Sequence, residues 1–362
     1  MIADTDRGMV GRTTASVIIV THNGWNYMNS CLTSVEGQLG PEDEIVVVDN
    51  ASTDGGPGLM RSRLATVILV ENAENRGFAP ACNQGAALAG GDILVFLNQD
   101  ARVEPGWLEA LIHSLEEESA VGLTTSKVLL MSHPDRIQLC GQDLHFTGLP
   151  FLRGFGARAE VWNVPEGVAA VSGASFAIRR ELWQALEGFD ETFYMYFEET
   201  DLCWRARLAG HRCHFVPRSV VHHDYRPSQP NHLRFYYSAR NRYLMLLKNW
   251  RWGTLLLLLP SLFLAEVVDW FLALAMRGES LQAKARANVW LLGHLSEIRA
   301  QRAASQAGRT VSDAVILAER MHRLEPLETS LGRVGTALLS VCNGLFRINH
   351  CLVLTLCRWL GW

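Results

Sequence analysis

The sequence predicts an α/β protein in which a mostly parallel sheet is flanked by helices, followed by a helical, membrane-associated C-terminal region. Two observations lead there. The first 130 residues alternate buried-strand and helix patterns, and charge and hydropathy divide the 362-residue chain into an acidic body and a basic, apolar tail. From Arg226 onward there are 17 Lys and Arg against 8 Asp and Glu, whereas the first 225 residues carry 16 against 29. At 48% hydrophobic and 19% charged residues the chain has the composition of a folded protein. A basic, apolar tail on an acidic body suits a soluble domain held at an anionic membrane surface.

The elements follow in order. Ser16–Thr21 (SVIIVT) reads as a buried strand, and Trp25, Met28, Leu32, Val35 and Leu39 then recur at helical spacing. Glu44–Val48 and Val67–Val70 read as the second and third strands. Phe78–Ala89 reads as a small-residue helix, Ile93–Leu97 as a fourth strand, and Trp107–Leu115 as a helix opened by Pro105. Continuous apolar strands alternating with helices imply a parallel sheet covered on both faces. In such sheets ligands bind beyond the carboxyl ends of the strands. Those ends read Thr21-His22-Asn23, Asp49-Asn50 and Asn98-Gln99-Asp100. A strand that delivers a carboxylate where its burial stops is delivering it to that crevice, although Asp and Asn also start turns and cap helices.

The motifs narrow the ligand. No GxGxxG follows a strand and no GxxxxGK[ST] occurs, which counts against a dinucleotide site and a phosphate-cradling loop. A divalent metal on strand-end carboxylates would neutralise an anionic substrate instead. The eight cysteines show no CxxC and no zinc spacing, so they read as reduced thiols. The N-terminal MIADTDRGMVGRTTA has no apolar core, and a cytosol-facing catalytic domain is expected.

Five segments in order carry a specific resemblance: SVIIVTHNG, EIVVVDNASTDGG, ENRGFAPACNQGAALAGGDILVFLNQD, VSGASFAIRRELWQALEGFDETFYMYFEETDLCWRARLAGHRCHFVP and SVVHHD. Together they resemble the family 2 glycosyltransferases of the GT-A fold, particularly the bacterial rhamnosyltransferase-like branch. The resemblance implies a GT-A domain over 16–232, an N-terminal extension over 1–15 and an amphipathic, apolar helical region over 233–362. It implies an inverting, metal-dependent transfer of one sugar, L-rhamnose among the candidates, from a nucleotide-diphosphate donor. The acceptor would be a glycan or a polyprenyl-diphosphate-linked sugar in cell-surface polysaccharide synthesis.

The same resemblance assigns residues. Thr21 and Asn23 would line the nucleotide pocket, Asp49 would accept a hydrogen bond from the base, and Asn75-Arg76-Gly77 would lie over the nucleotide. The family's D-x-D metal motif appears as Asn98-Gln99-Asp100, leaving Asp100 as the Mg²⁺ or Mn²⁺ ligand and Asn98 and Gln99 beside the substrate. Gly173 would leave room for the acceptor. Glu199 takes the position of the catalytic base, with Glu198 a helix-end or acceptor-positioning residue. Of His222 and His223, the count from Pro217 favours His223 as a further metal ligand.

The tail admits more than one reading. Arg234–Trp252 interleaves basic and aromatic residues, as single-strand nucleic-acid binders do. The apolar stretch that follows favours a membrane surface and no nucleic acid. Gly253–Met276 is long enough to span a bilayer, but Pro260, Glu266 and Asp269 interrupt it, which favours helices lying in the interface over a true span. Gly335–Trp362 repeats the pattern; the remaining alternative is an ordinary helical core. Arg240 and Arg242 are candidates for acceptor phosphates, Ser280–Gln306 and Val311–His322 read as amphipathic helices, and self-association stays open. A processive synthase would carry Q-x-x-R-W and unbroken spans, neither of which is seen; a catalytically dead scaffold would not need Asp49, Asp100 and Glu199 intact.

Overall fold

The computed structural model describes residues 13–63, 66–225, 232–276, 278–324 and 332–362. Most of the expected N-terminal extension, and the junction at 226–231, lie outside the described residues. The strands are β1 (Ala15–Thr21), β2 (Glu44–Asp49), β3 (Val67–Glu71), β4 (Ile93–Asn98), β5 (Ala101–Val103), β6 (Val121–Leu130), β7 (His133–Leu139), β8 (Gln142–Leu144), β9 (Pro150–Leu152), β10 (Glu166–Val168), β11 (Ser175–Arg179) and β12 (Arg212–His223). The helices fall into two sets. Those among the strands are α1 (Trp25–Glu36), α2 (Gly56–Ser62), α3 (Phe78–Leu88), α4 (Trp107–Glu117), α5 (Arg180–Ala185) and α6 (Glu198–Leu208). Those after them are α7 (His232–Asn249), α8 (Trp252–Met276), α9 (Glu279–Gly293), α10 (Leu295–Ala307), α11 (Asp313–Ala318) and α12 (Gly332–Leu360).

The main sheet runs β10-β12-β6-β11-β4-β1-β2-β3, with β5 on β12 and β7 on β6. The block β3-β2-β1-β4 is parallel, as the sequence implies, while β11 joins it antiparallel to both β4 and β6. Alternation along the buried strands separates two cores. Val17, Ile19, Ile45, Val47, Val95 and Leu97 face α1 and α4. Ile18, Val46, Leu94 and Phe96 face α3, α5 and α6. Helix α3 is built from small residues because it lies tight on the sheet. A Cβ at Gly85 would stand 2.7 Å from Ile18 Cγ2.

A third core joins α6 to the C-terminal helices through Phe193, Phe197, Trp204, Leu244, Met245, Trp250, Leu258 and Phe346. Helix α8 runs unbroken through Pro260, with Glu266 and Asp269 within its apolar stretch. Glu266 and Asp269 face Lys284 at 2.7 and 3.5 Å, and Asp269 meets Arg242 at 2.8 Å. Paired in this way, the two acids are neutralised against α7 and α9. Two expectations shift. Ser280–Gln306 breaks at His294 into α9 and α10, and the helix within Val311–His322 is only the short α11. Helices α8 and α12 are long and apolar enough to cross a membrane by length and composition.

Candidate active site

The register of the parallel strands assembles one edge. Thr21 pairs with Asp49, and Val20 with Asn98, so the ends of β1, β2 and β4 lie side by side. Asp49 is 3% exposed; its Oδ2 accepts from the Ser52 backbone N–H at 3.2 Å, while its buried Oδ1 has no partner. A buried carboxylate oxygen left unpaired is costly unless something donates to it. Asn50 beside it ties the pocket's far wall, donating to the Gly77 carbonyl at 2.9 Å and accepting from Asn72 at 2.9 Å.

Asn23 holds a positive φ of 52° and accepts from the Thr53 N–H at 2.9 Å, closing the turn after β1 on the turn after β2. The Thr21 hydroxyl donates to Gln99 Oε1 at 2.6 Å, as does the His22 N–H at 3.1 Å, so Thr21 and Gln99 are held against each other. Asn75 and Arg76 are exposed, and Asn75 Oδ1 accepts from the Gly77 N–H at 3.0 Å. Gly77 has φ 95°, and a Cβ there would lie 2.5 Å from the Tyr194 ring. Only glycine meets both conditions.

Strand β12 pairs antiparallel with β5, placing His223 opposite Ala101 and His222 opposite Arg102. His223 therefore reaches the site: its Nε2 lies 3.1 Å from Asp100 Oδ1 and 3.3 Å from Asn98 Nδ2. His222 turns to the other face, 2.6 Å from Glu104. The second ring nitrogen of His223, Nδ1, lies 2.8 Å from Gln138 Oε1, to which it can only donate. That fixes the tautomer and leaves the Nε2 lone pair facing a carboxylate. Two acceptors so close need a proton on Nε2 or a cation shared with Asp100, so the donor set fits a divalent metal. Among the described residues no three His, Cys, Asp or Glu side chains converge, so further ligands would have to be substrate oxygens and water.

The acid pair begins α6. Glu199 Oε1 accepts from Gln142 Nε2 at 2.8 Å, while Oε2 is buried without a partner. Burial raises its pKa, opposed by the Gln142 hydrogen bond. Glu198 is 6% exposed with a partnerless Oε2; burial, and then the neighbouring Glu199 charge, push its pKa well up. A Cβ on Gly173 would sit 3.6 Å from Glu199 Oε1, so the missing side chain leaves the carboxylate open on that side. The loop before α6 is strained: Tyr194, Tyr196 and Phe197 hold φ of 63°, 65° and 73°. Such residues cost about 1–3 kcal/mol each and cluster where function sets the geometry.

Asp201 is structural. It is fully buried and accepts from Arg205 at 2.7 Å, Lys248 at 3.1 Å and Asn249 at 2.8 Å. These donors hold its carboxyl below the usual range despite its burial.

Arg240 and Arg242 correct the sequence reading. Both are buried and spent inside the protein: Arg240 donates to the Phe193 carbonyl at 3.0 Å, and Arg242 pairs with Asp269. Neither is presented to a phosphate, because the acids and carbonyls that α7 packs against consume its cations. Gln138, Gln142 and Tyr194 were not legible as site residues. Only their partners far along the chain bring them in. A cavity of about 1260 Å³ beside α4 is lined by none of these groups.

Residues 16–183 match the family model for Glycosyl transferase family 2. The chain is 26% identical over 216 residues to the pre-mycofactocin glycosyltransferase of Mycobacterium tuberculosis, covering 58% of this chain and 43% of that protein. It is 26% identical over 233 residues to the N-acetylglucosaminyl-diphospho-decaprenol L-rhamnosyltransferase of the same organism, covering 57% and 75%. An uncharacterized protein of Sinorhizobium fredii matches at 26% over 59% of this chain and 25% of its own length. The chain thus spans well under half of the first curated relatives it matches. Two solved structures share the fold at a TM-score of 0.54. GalNAc-T7 with UDP, GalNAc and Mn²⁺ is 20% identical, covering 66% of this chain and 48% of that one. S. aureus TarS with UDP-GlcNAc is 16% identical, covering 96% and 92%.

Proposed function

We propose that this glycosyltransferase moves one sugar from a nucleotide-diphosphate donor to an acceptor hydroxyl, with inversion and with Mg²⁺ or Mn²⁺. The observation that carries the reading is the Asp100–His223 pair, 3.1 Å apart, following the strand edge that also carries Asp49 with its buried, partnerless Oδ1. Asp49 Oδ1 would accept from the nucleotide base, while Asn50 and Gly77 set the wall against which the nucleotide rests. Asp100 and His223 Nε2 would hold the metal, with Gln138 fixing the imidazole. When bound, the metal would offset the charge that develops on the leaving diphosphate. Glu199 Oε2 would take the proton of the incoming hydroxyl, a step worth perhaps 10²–10⁴-fold. Gln142 orients the carboxylate through Oε1, and Gly173 leaves the approach clear. A single base without a carboxylate nucleophile gives one displacement, hence inversion.

The relative that acts as an L-rhamnosyltransferase on a diphospho-decaprenol-linked sugar supports L-rhamnose as the donor sugar and a polyprenyl-diphosphate acceptor. Such an acceptor lives in a membrane, and the tail suits one. Leu256, Phe263, Val267, Phe271 and Leu274 form an exposed apolar stripe on α8, and Leu338, Val341, Leu345, Ile348 and Leu352 another on α12. We place these stripes in the cytoplasmic face of the cell membrane, lying in the interface with Trp252 and Trp359 at headgroup level. The deciding experiment screens nucleotide sugars with and without Mn²⁺, using a polyprenyl-diphosphate-linked sugar as acceptor. Metal-dependent transfer with an inverted product confirms the reading. Nucleotide binding without turnover of any donor would leave a scaffold. Flotation with anionic vesicles tests the membrane surface separately.

A further inference from the structure

The strained loop before α6 decides where Glu198 and Glu199 stand, because left-handed Phe197 is the residue that caps the helix they begin. Backbone of that kind persists only where its surroundings over-determine it. Helix α7 supplies the constraint. Asn241 is fully buried, and its Nδ2 amide fans across three loop carbonyls: Phe193 at 3.0 Å, Met195 at 2.9 Å and Tyr196 at 2.7 Å. Arg240 braces it, donating from Nε to Asn241 Oδ1 at 2.8 Å and from its other end to the Phe193 carbonyl. The loop also reaches the donor side. The Tyr194 carbonyl accepts from the N–H groups of Phe78 and Ala79 at 2.8 and 3.2 Å, and its ring stacks on Tyr237 of α7, centroids 5.2 Å apart. One loop thus joins α3, the acid pair and α7.

We propose that Asn241 is a positioning residue for the Glu198–Glu199 pair, so that α7 is a working part of the catalytic site and more than a bridge to the apolar tail. The inference rests on the glycosyltransferase reading, with Glu199 as base. The chemistry selects this side chain. Only an amide of this length offers two N–H hydrogens to a fan of carbonyls while its oxygen accepts from Arg240. Aspartate has the same shape but would set an acceptor against three acceptors. Leucine fills the space and leaves the carbonyls unpaired.

The test uses the full chain with Asn241→Leu, Asn241→Asp and Asn241→Ser, the last keeping one donor in case the first two fold poorly. Lys284→Met is the control; it breaks the buried Lys284–Glu266 pair at 2.7 Å, and the hydrogen bonds Lys284 donates go to Glu266 and Asp269 rather than to the loop carbonyls. Amide hydrogen exchange over residues 193–200 reads the loop without any substrate. Exchange there should rise about tenfold or more in each Asn241 variant and stay at the parent rate in the control. With donor and acceptor, kcat should fall about tenfold or more in Asn241→Leu, further in Asn241→Asp and less in Asn241→Ser, with donor KM little changed. The acid limb of the kcat profile should move in these variants and not in the control. Unchanged exchange in Asn241→Leu, or a loss confined to donor KM, would overturn the inference. Full turnover in Glu199→Gln would instead sink the base assignment, leaving the exchange result to judge whether Asn241 holds the loop.

Discussion

His223 Nε2 lies 3.1 Å from Asp100 Oδ1, with the opposite ring nitrogen committed to Gln138. The pair joins the end of β4 to the end of β12. Asp100→Asn should weaken metal and nucleotide together, because a metal held by Asp100 would supply the positive charge that offsets the diphosphate. Titration calorimetry with the nucleoside diphosphate, with and without Mn²⁺, reads this directly. Equal metal-dependent affinity in variant and parent would remove Asp100 from the site.

Gln138 gives a subtler case. Gln138→Leu leaves Asp100 and His223 in place but frees the imidazole to change tautomer. Metal affinity should drop by about 10–100-fold, the usual cost of losing such an outer partner. The nucleotide's metal-independent affinity should hold. If Mn²⁺ affinity is unaltered, the Nδ1 contact does not fix the ligand.

Glu199→Gln should abolish transfer and spare donor binding, since an interaction needed only in the transition state lowers kcat and kcat/KM alike. Glu198→Gln should cost far less turnover. Activity of Glu199→Gln together with loss in Glu198→Gln would move the base by one residue. Activity in both would place it elsewhere.

The acid pair also sets a pH dependence. Burial raises both carboxyls above the ordinary 4.5, so Glu199 becomes a competent base only as pH rises through its raised value. The acid limb of kcat should therefore sit above the normal carboxylate range. Stability runs the other way. A raised folded pKa contributes stability at low pH that is lost as pH rises through it. Glu198→Gln should accordingly raise the melting temperature more at pH 8 than at pH 5. A gain that is equal at both, or larger at pH 5, contradicts the assignment.

Lys248 lies 2% exposed against Asp201, with Asp190 also in contact. Lys248→Met leaves Asp201 to Arg205 and Asn249 alone. Breaking a buried pair from one side costs about 3–5 kcal/mol, measurable by denaturant unfolding. Since donors hold the Asp201 pKa down, the parent's advantage should fade as pH falls through the acid range. A loss independent of pH would point to packing rather than charge.

The sequence by itself determined the parallel block and the edge at which its chemistry lies. Apolar runs in β1, β2 and β4 call for burial on both faces, and the polar residue that ends each run marks where that burial stops, at the carboxyl edge. Thr21, Asp49 and Asn98 followed from that alone. Local pattern also marked α8 and α12 as apolar, since composition needs no partner to be read. What only the tertiary structure decided is which side of each polar residue is occupied. Register on β5 turned His223, rather than His222, to Asp100. Chain crossings set Arg242 on Asp269 and Lys284 on Glu266, so that an expected phosphate ligand and the acids within the apolar stretch are spent in internal ion pairs. Asn241 sits in an unremarkable basic helix and gains its partners from a loop 45 to 48 residues earlier. Burial has a period that the chain repeats locally; a side chain's partner is fixed by where distant segments cross, and the local period holds no record of that.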